Sequence, residues 1–77
     1  MTYSELLAAV DLFALEDRET AEHIRRLILS RDWYYTFLYS EKDRRLADYL
    51  PAHALYKSKR LNLPNEWVQV NWTPDPP

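Results

Sequence analysis

Residues 31–50 read "RDWYYTFLYSEKDRRLADYL", and the way they fold decides the architecture of the whole chain. Trp33, Tyr34, Tyr35, Phe37, Leu38 and Tyr39 put six large hydrophobic or aromatic side chains into seven positions, and a dense run of charge follows at once. Two periods compete here. Trp33, Tyr35, Phe37 and Tyr39 alternate with Tyr34, Thr36 and Leu38, and aromatic and β-branched residues favour strands. At helical spacing, Tyr35, Leu38, Tyr39, Leu46, Tyr49 and Leu50 form one long stripe with Lys42 as the exception. No Gly or Pro interrupts the stretch, and Pro51 disfavours helix at the residue before it. The pattern predicts a helix from about 32 to 50, kinked near Ser40. The alternative is a strand at 33–39 followed by a helix at 41–50 that Ser40 and Asp43 would cap.

Toward the N-terminus the signals are cleaner. Thr2 followed by Glu5 is a capping box, and Leu6, Leu7, Val10, Phe13 and Ala14 recur at helical spacing, which predicts a helix over 3–14. Asp17 with Thr20 three residues on is an N-cap. Ala21, Ile24, Leu27 and Ile28 share a face, with Glu19 and Glu22 early and Arg25, Arg26 and Arg31 late, as the helix dipole favours. This predicts a second helix over 18–30. Toward the C-terminus, "PAHALYKSKR" permits a helical turn at 52–59. In "NLPNEWVQVNW", Asn62 or Asn65 would cap a short helix around Pro64 to Val70, whereas Trp67 to Trp72 also alternates as a strand would. "TPDPP" reads as an extended, exposed tail. The fold class expected is therefore all-α: a bundle of three to four helices forming one domain over 1–72, with an extended Pro-rich tail at 73–77. The alternative is α+β, with strands at 33–39 and 66–72.

Composition bounds the function. Seventy-seven residues make one domain, and a chain of this length buries only about 60% of its unfolded surface. A 47% hydrophobic content is too high for a disordered chain. The absence of cysteine excludes disulfides and thiolate metal sites, and with a start lacking a basic region or a long apolar run it predicts a cytoplasmic protein without a signal peptide or membrane span. The absence of glycine excludes phosphate-cradling loops; it also favours helices, since tight hairpin turns rely on glycine. Charge is polarised. Residues 1–22 carry six acids against one base, residues 23–60 nine bases against four acids, and residues 61–77 two acids. Such a dipole suits oriented docking on a charged protein better than coating nucleic acid.

Candidate chemistry is sparse. Glu19 and His23 have metal-ligand spacing, but no third ligand is near in sequence and His53 stands alone, so no metal or other cofactor is expected. Ser4, Ser30, Ser40 and Ser58 are explained as caps or surface polars. A core this small is not expected to enclose a cleft of about 300 Å³, so no catalytic residues are assigned. Lys57, Lys59 and Arg60 beside Tyr56 form the densest basic patch, with Arg44 and Arg45 as possible additions. Phosphate contact with Tyr56 stacking on a base is one reading; a solvated helix end is preferred, and any nucleic-acid contact is expected to be indirect or weak, because the chain is acidic overall. Of the three tryptophans, Trp33 is expected in the core, while Trp67 and Trp72 are candidates for a partner surface.

The segment Leu38-Tyr39-Ser40 through Asp43, Arg45-Leu46-Ala47-Asp48 resembles "FYSAADHRLAEL" of the Hha/YmoA family of small helical nucleoid modulators. Leu55-Tyr56, then Leu63-Pro64 and Trp67, echo that family's "LY…IP…W" ending. The stretch between Leu46 and Pro64 is longer here and carries Pro51, and the proline tail is extra. The resemblance implies an all-helical, non-enzymatic module that docks on the dimerisation region of an H-NS-type silencer and tunes transcription. It also implies that acids pair with arginines of the partner: Asp43 matches the motif's acid, and Asp17 corresponds to another if the N-terminal halves align without gaps. The expected function is thus a non-enzymatic bacterial or phage protein-binding regulator. Its partner-binding residues would be Trp67, Trp72, Tyr56, Asp17 and Asp43. Two alternatives are a phage or mobile-element inhibitor that blocks a host or defence protein by surface binding, and a minor structural subunit of a larger complex.

Overall fold

The structure is a computed structural model that describes residues 1–30, 35–57 and 67–76. Helix α1 spans Tyr3–Phe13 and begins with a closed capping box: Thr2 Oγ1 accepts from the Glu5 amide at 3.2 Å and Glu5 Oε1 accepts from the Thr2 amide at 3.2 Å. Leu6, Ala9, Val10 and Phe13, at i, i+3, i+4 and i+7, form its buried stripe. Helix α2 spans Arg18–Leu29, with Asp17 accepting from the Thr20 amide. Its buried face is Thr20, Ala21, Ile24 and Ile28; Leu27, expected on that face, is 43% exposed.

The expected all-α bundle does not form. The chain is α+β, with a three-stranded antiparallel sheet in the order β1-β3-β2. Strand β1 is Tyr35–Leu38, β2 is Leu55–Lys57 and β3 is Val68–Asn71. Strand β3 lies in the centre: Leu38 faces Val68 and Phe37 faces Gln69 on one edge, while Leu55 faces Val70 and Tyr56 faces Gln69 on the other. The single helix expected over 32–50 is replaced by its alternative. After β1, Ser40 caps a helical turn α3 (Glu41–Arg44) through its Oγ and the Asp43 amide, and the turn tightens into 3₁₀ helix over Arg45–Tyr49. Leu50 is extended ahead of Pro51, as the proline ring demands. A second 3₁₀ turn, Ala52–Ala54, leads straight into β2, so the helical turn expected over 52–59 ends early. The short helix expected around Pro64 to Val70 is not seen where the chain is described, because Val68–Asn71 is strand; Asn62, Pro64 and Asn65 lie outside the described residues.

The absence of glycine misleads for a physical reason. Neither connection in this sheet is a two-residue hairpin. A helical segment carries the chain from β1 to β2, and ten residues separate β2 from β3 in the sequence, so the sheet does not call for the two-residue turns that rely on glycine.

The core is one apolar cluster. It joins the stripes of α1 and α2 to Leu38, Leu46, Leu50, Val70 and Trp72, with Val68 and Leu55 packed against it. Beyond β3, Thr73 pairs in parallel with Thr2. The Tyr3 amide donates to Thr73 O at 2.8 Å and the Thr73 amide to Met1 O at 2.9 Å. Asp75 then accepts from the Ser4 amide (3.1 Å) and from Ser4 Oγ (2.5 Å), adding a second acid to the first turn of α1. Residues 73–76 are exposed, yet they are fastened to the start of the chain.

Leu46 is fully buried beneath α1 and the sheet. Leu46→Ala should lower stability by about 2–5 kcal/mol, read from the urea midpoint. Asp75→Ala should lower the midpoint by less, and hydrogen exchange of the Ser4 amide should speed up with it.

Candidate functional site

The β1–β3 register positions the most distinctive surface. With Leu38 opposite Val68, the flanking residues Tyr39 and Trp67 come side by side, their ring centroids 5.5 Å apart. Phe37 lies 6.2 Å from the same indole. Side chains alternate across a sheet, so these rings share the face opposite the one on which Leu38 and Val70 enter the core. Gln69 and Tyr56 continue that face across β3 and β2. Gln69 is buried at its centre, and Asn71 Nδ2 donates to the Tyr56 hydroxyl at 3.3 Å. Tyr39 is the ring that projects most, at 45% exposure.

Tyr39 also forms one wall of an open groove of about 330 Å³ between α2 and α3. Glu19, Thr20 and His23 line it from α2, and Ser40, Lys42 and Asp43 from the α3 turn. A volume of this order lies at the lower end of small-molecule sites and exceeds what the chain's length predicts. It is reached by opening to solvent where three elements meet, not by enclosure.

A tight ionic clamp stands beside the groove. Arg45 donates from Nη1 to Glu16 Oε1 at 2.9 Å and from Nη2 to Asp17 Oδ2 at 2.6 Å, and its guanidinium packs 5.6 Å from the Phe13 ring centroid. Asp17 Oδ2 also accepts from Thr20 Oγ1 at 2.8 Å and lies 3.8 Å from Lys42 Nζ. The backbone and hydroxyl hydrogen bonds from Thr20, helped by Lys42 and Arg45, hold the Asp17 carboxyl below the usual aspartate range. The Tyr49 hydroxyl donates to Glu16 Oε2 at 2.7 Å, which pushes its ionisation up. The clamp ties the α1–α2 connection to the segment after β1.

The residues expected to bind a partner divide accordingly. Trp67 lies on the outer aromatic face, half-buried, and Tyr56 shares that face. Trp72 belongs to the core: it is 4% exposed and packs on Tyr3 at 5.3 Å, because the alternation that turns Trp67 outward turns Val68, Val70 and Trp72 inward. Asp17 is engaged within the chain, whereas Asp43 lines the groove. Lys57 closes β2 opposite Val68, while Lys59, Arg60 and Trp33 lie outside the described residues. Sequence reasoning passed over Tyr39 and Glu19 as groove residues. The spacing of Glu19 and His23 on one helix face was a visible signal; the place of Tyr39 depends on a strand register that no local pattern encodes. Among the described residues no three histidine or acidic side chains come together to hold a metal, and no helix is long and apolar enough to cross a membrane.

No family model matches this sequence, and comparison with curated proteins and with solved structures finds no significant match.

A carboxylate whose folded-state ionisation is depressed contributes stability above its unfolded pKa and loses it as pH falls through the folded one. Wild-type stability should therefore drop below about pH 4, and Asp17→Asn should flatten that part of the profile. Urea midpoints measured between pH 7 and pH 2 for the two proteins check this.

Proposed function

We propose that this chain is a non-enzymatic protein-binding module that acts by occupying the surface of a macromolecular partner, as a blocking inhibitor of the kind phages and mobile elements encode. The observation that carries the reading is the continuous surface made by Tyr39 and Trp67 beside the charged α2–α3 groove. Aromatic rings supply rigid contact area, and neighbouring charges supply register. The clamp of Arg45 on Glu16 and Asp17 braces the backbone next to that surface, so little ordering is required on binding.

Two other readings have less support. Docking on an H-NS-type silencer was implied together with an all-helical module, and the α+β fold removes that structural ground. A subunit that lends its C-terminal segment to a larger assembly would need that segment free. Val68–Asn71 is instead the central strand of the chain's own sheet.

Affinity capture from the source cell tests the proposal. Wild-type chain should retain a protein that Tyr39→Ala and Trp67→Ala release by roughly tenfold or more in affinity, the scale of an aromatic hot spot. The activity of that protein should fall as the chain saturates it. Retention unchanged in both variants, or turnover of a substrate by the purified chain, would count against the reading.

A further inference from the structure

The two caps in which a hydroxyl residue is followed three positions later by an acid end differently. In Thr2-x-x-Glu5 the carboxylate turns back to the cap amide and closes the box. In Ser40-x-x-Asp43 only half the box forms: Ser40 Oγ accepts from the Asp43 amide at 3.0 Å, and the Asp43 carboxylate makes no return hydrogen bond. Asp43 is nonetheless 8% exposed, so it is more than nine-tenths buried. Among the described residues its carboxylate has no hydrogen-bond or ion-pair partner, and it faces the α2–α3 groove. Its oxygens are still reached from the groove, so a donor entering there would meet a charged acceptor that no side chain among the described residues already engages.

The surroundings define what would supply it. Glu19, on the opposite wall, also has no hydrogen bond or ion pair among the described residues. Lys42 borders the groove, but its ammonium lies against Asp17. Tyr39 offers a ring that is close to half exposed. Two carboxylates on separate elements and one aromatic wall are the requirements of a cation with an aliphatic stem. The placement of the acids on two different elements selects among cations. A guanidinium is a planar fork matched to one carboxylate, whereas an ammonium has three diverging donors that reach groups on different sides.

We propose that the α2–α3 groove binds a primary ammonium group on an alkyl stem, held between Asp43 and Glu19 with the stem against Tyr39. The group comes either from a lysine side chain of the bound partner or from a free alkyl amine. The first source rests on the protein-binding reading above; the second stands without it.

Chemical-shift titration of the isotope-labelled chain tests this, with cadaverine and Nα-acetyl-lysine methylamide as separate probes at constant ionic strength. Both should give saturable shifts centred on Glu19, His23, Tyr39 and Asp43. Tighter binding of cadaverine assigns the free amine as the source, and tighter binding of the lysine analogue assigns a partner's lysine. Asp43→Asn should weaken either probe roughly tenfold or more, the scale of one charge-assisted hydrogen bond. Asp11→Asn, which touches only the Arg25 pair outside the groove, should not. If circular dichroism shows that Asp43→Asn has lost the fold, Glu19→Gln at its exposed position carries the same comparison. The proposal fails if neither probe saturates, if sodium chloride gives the same shifts, if the folded variants bind as wild type does, or if the arginine analogue binds as tightly. Since no partner protein is present, failure here leaves the capture experiment to judge the protein-binding reading independently.

Discussion

The structure depends on the pairing of Val68–Asn71 along both of its edges. Strands of three or four residues have little stability alone, and β1 and β2 do not touch each other in the sheet order. What makes them strands is the shared neighbour between them. Val70, fully buried, sits opposite Thr36 on one side and Leu55 on the other, and so connects the sheet to the helical stripe beneath. The same strand continues to Thr73 and holds the start of α1. Segments from the beginning, middle and end of the chain are therefore joined through one short strand. Contacts of such large sequence separation slow folding, because loop closure must precede them.

What could be read from the sequence was what local chemistry determines. The helix starts at Thr2 and Asp17 are three-residue patterns that hold wherever the chain goes, and the structure places both caps as expected. The stretch from Trp33 to Tyr39 carries two periods, and only a partner strand more than twenty-five residues away chooses between them. The pleat of that partner strand also separates Trp67 from Trp72 in fate. Both are large amphipathic rings near a proline-rich end, but the pleat of β3 turns one out and the other in. No composition argument distinguishes them; an odd or even offset from Val70 does.

Asp17 and Asp43 show how neighbourhood changes the meaning of one residue type. Each lies in the cap region of a helical segment, and each is largely withdrawn from solvent. Asp17 has two donors from Thr20 and a guanidinium, so its charge is fully used in holding two segments together. Asp43 has a cap amide beside it and an open groove in front. The first reads as architecture. The second retains acceptor capacity that the described structure does not use.

The fastening of Thr2 and Ser4 to Thr73 and Asp75 has a topological consequence. A polypeptide entering this fold and one leaving it pass the same point on its surface. The unit could therefore ride as a passenger within a surface loop of a host protein, or be circularised by a brief linker, with its sheet and helices undisturbed.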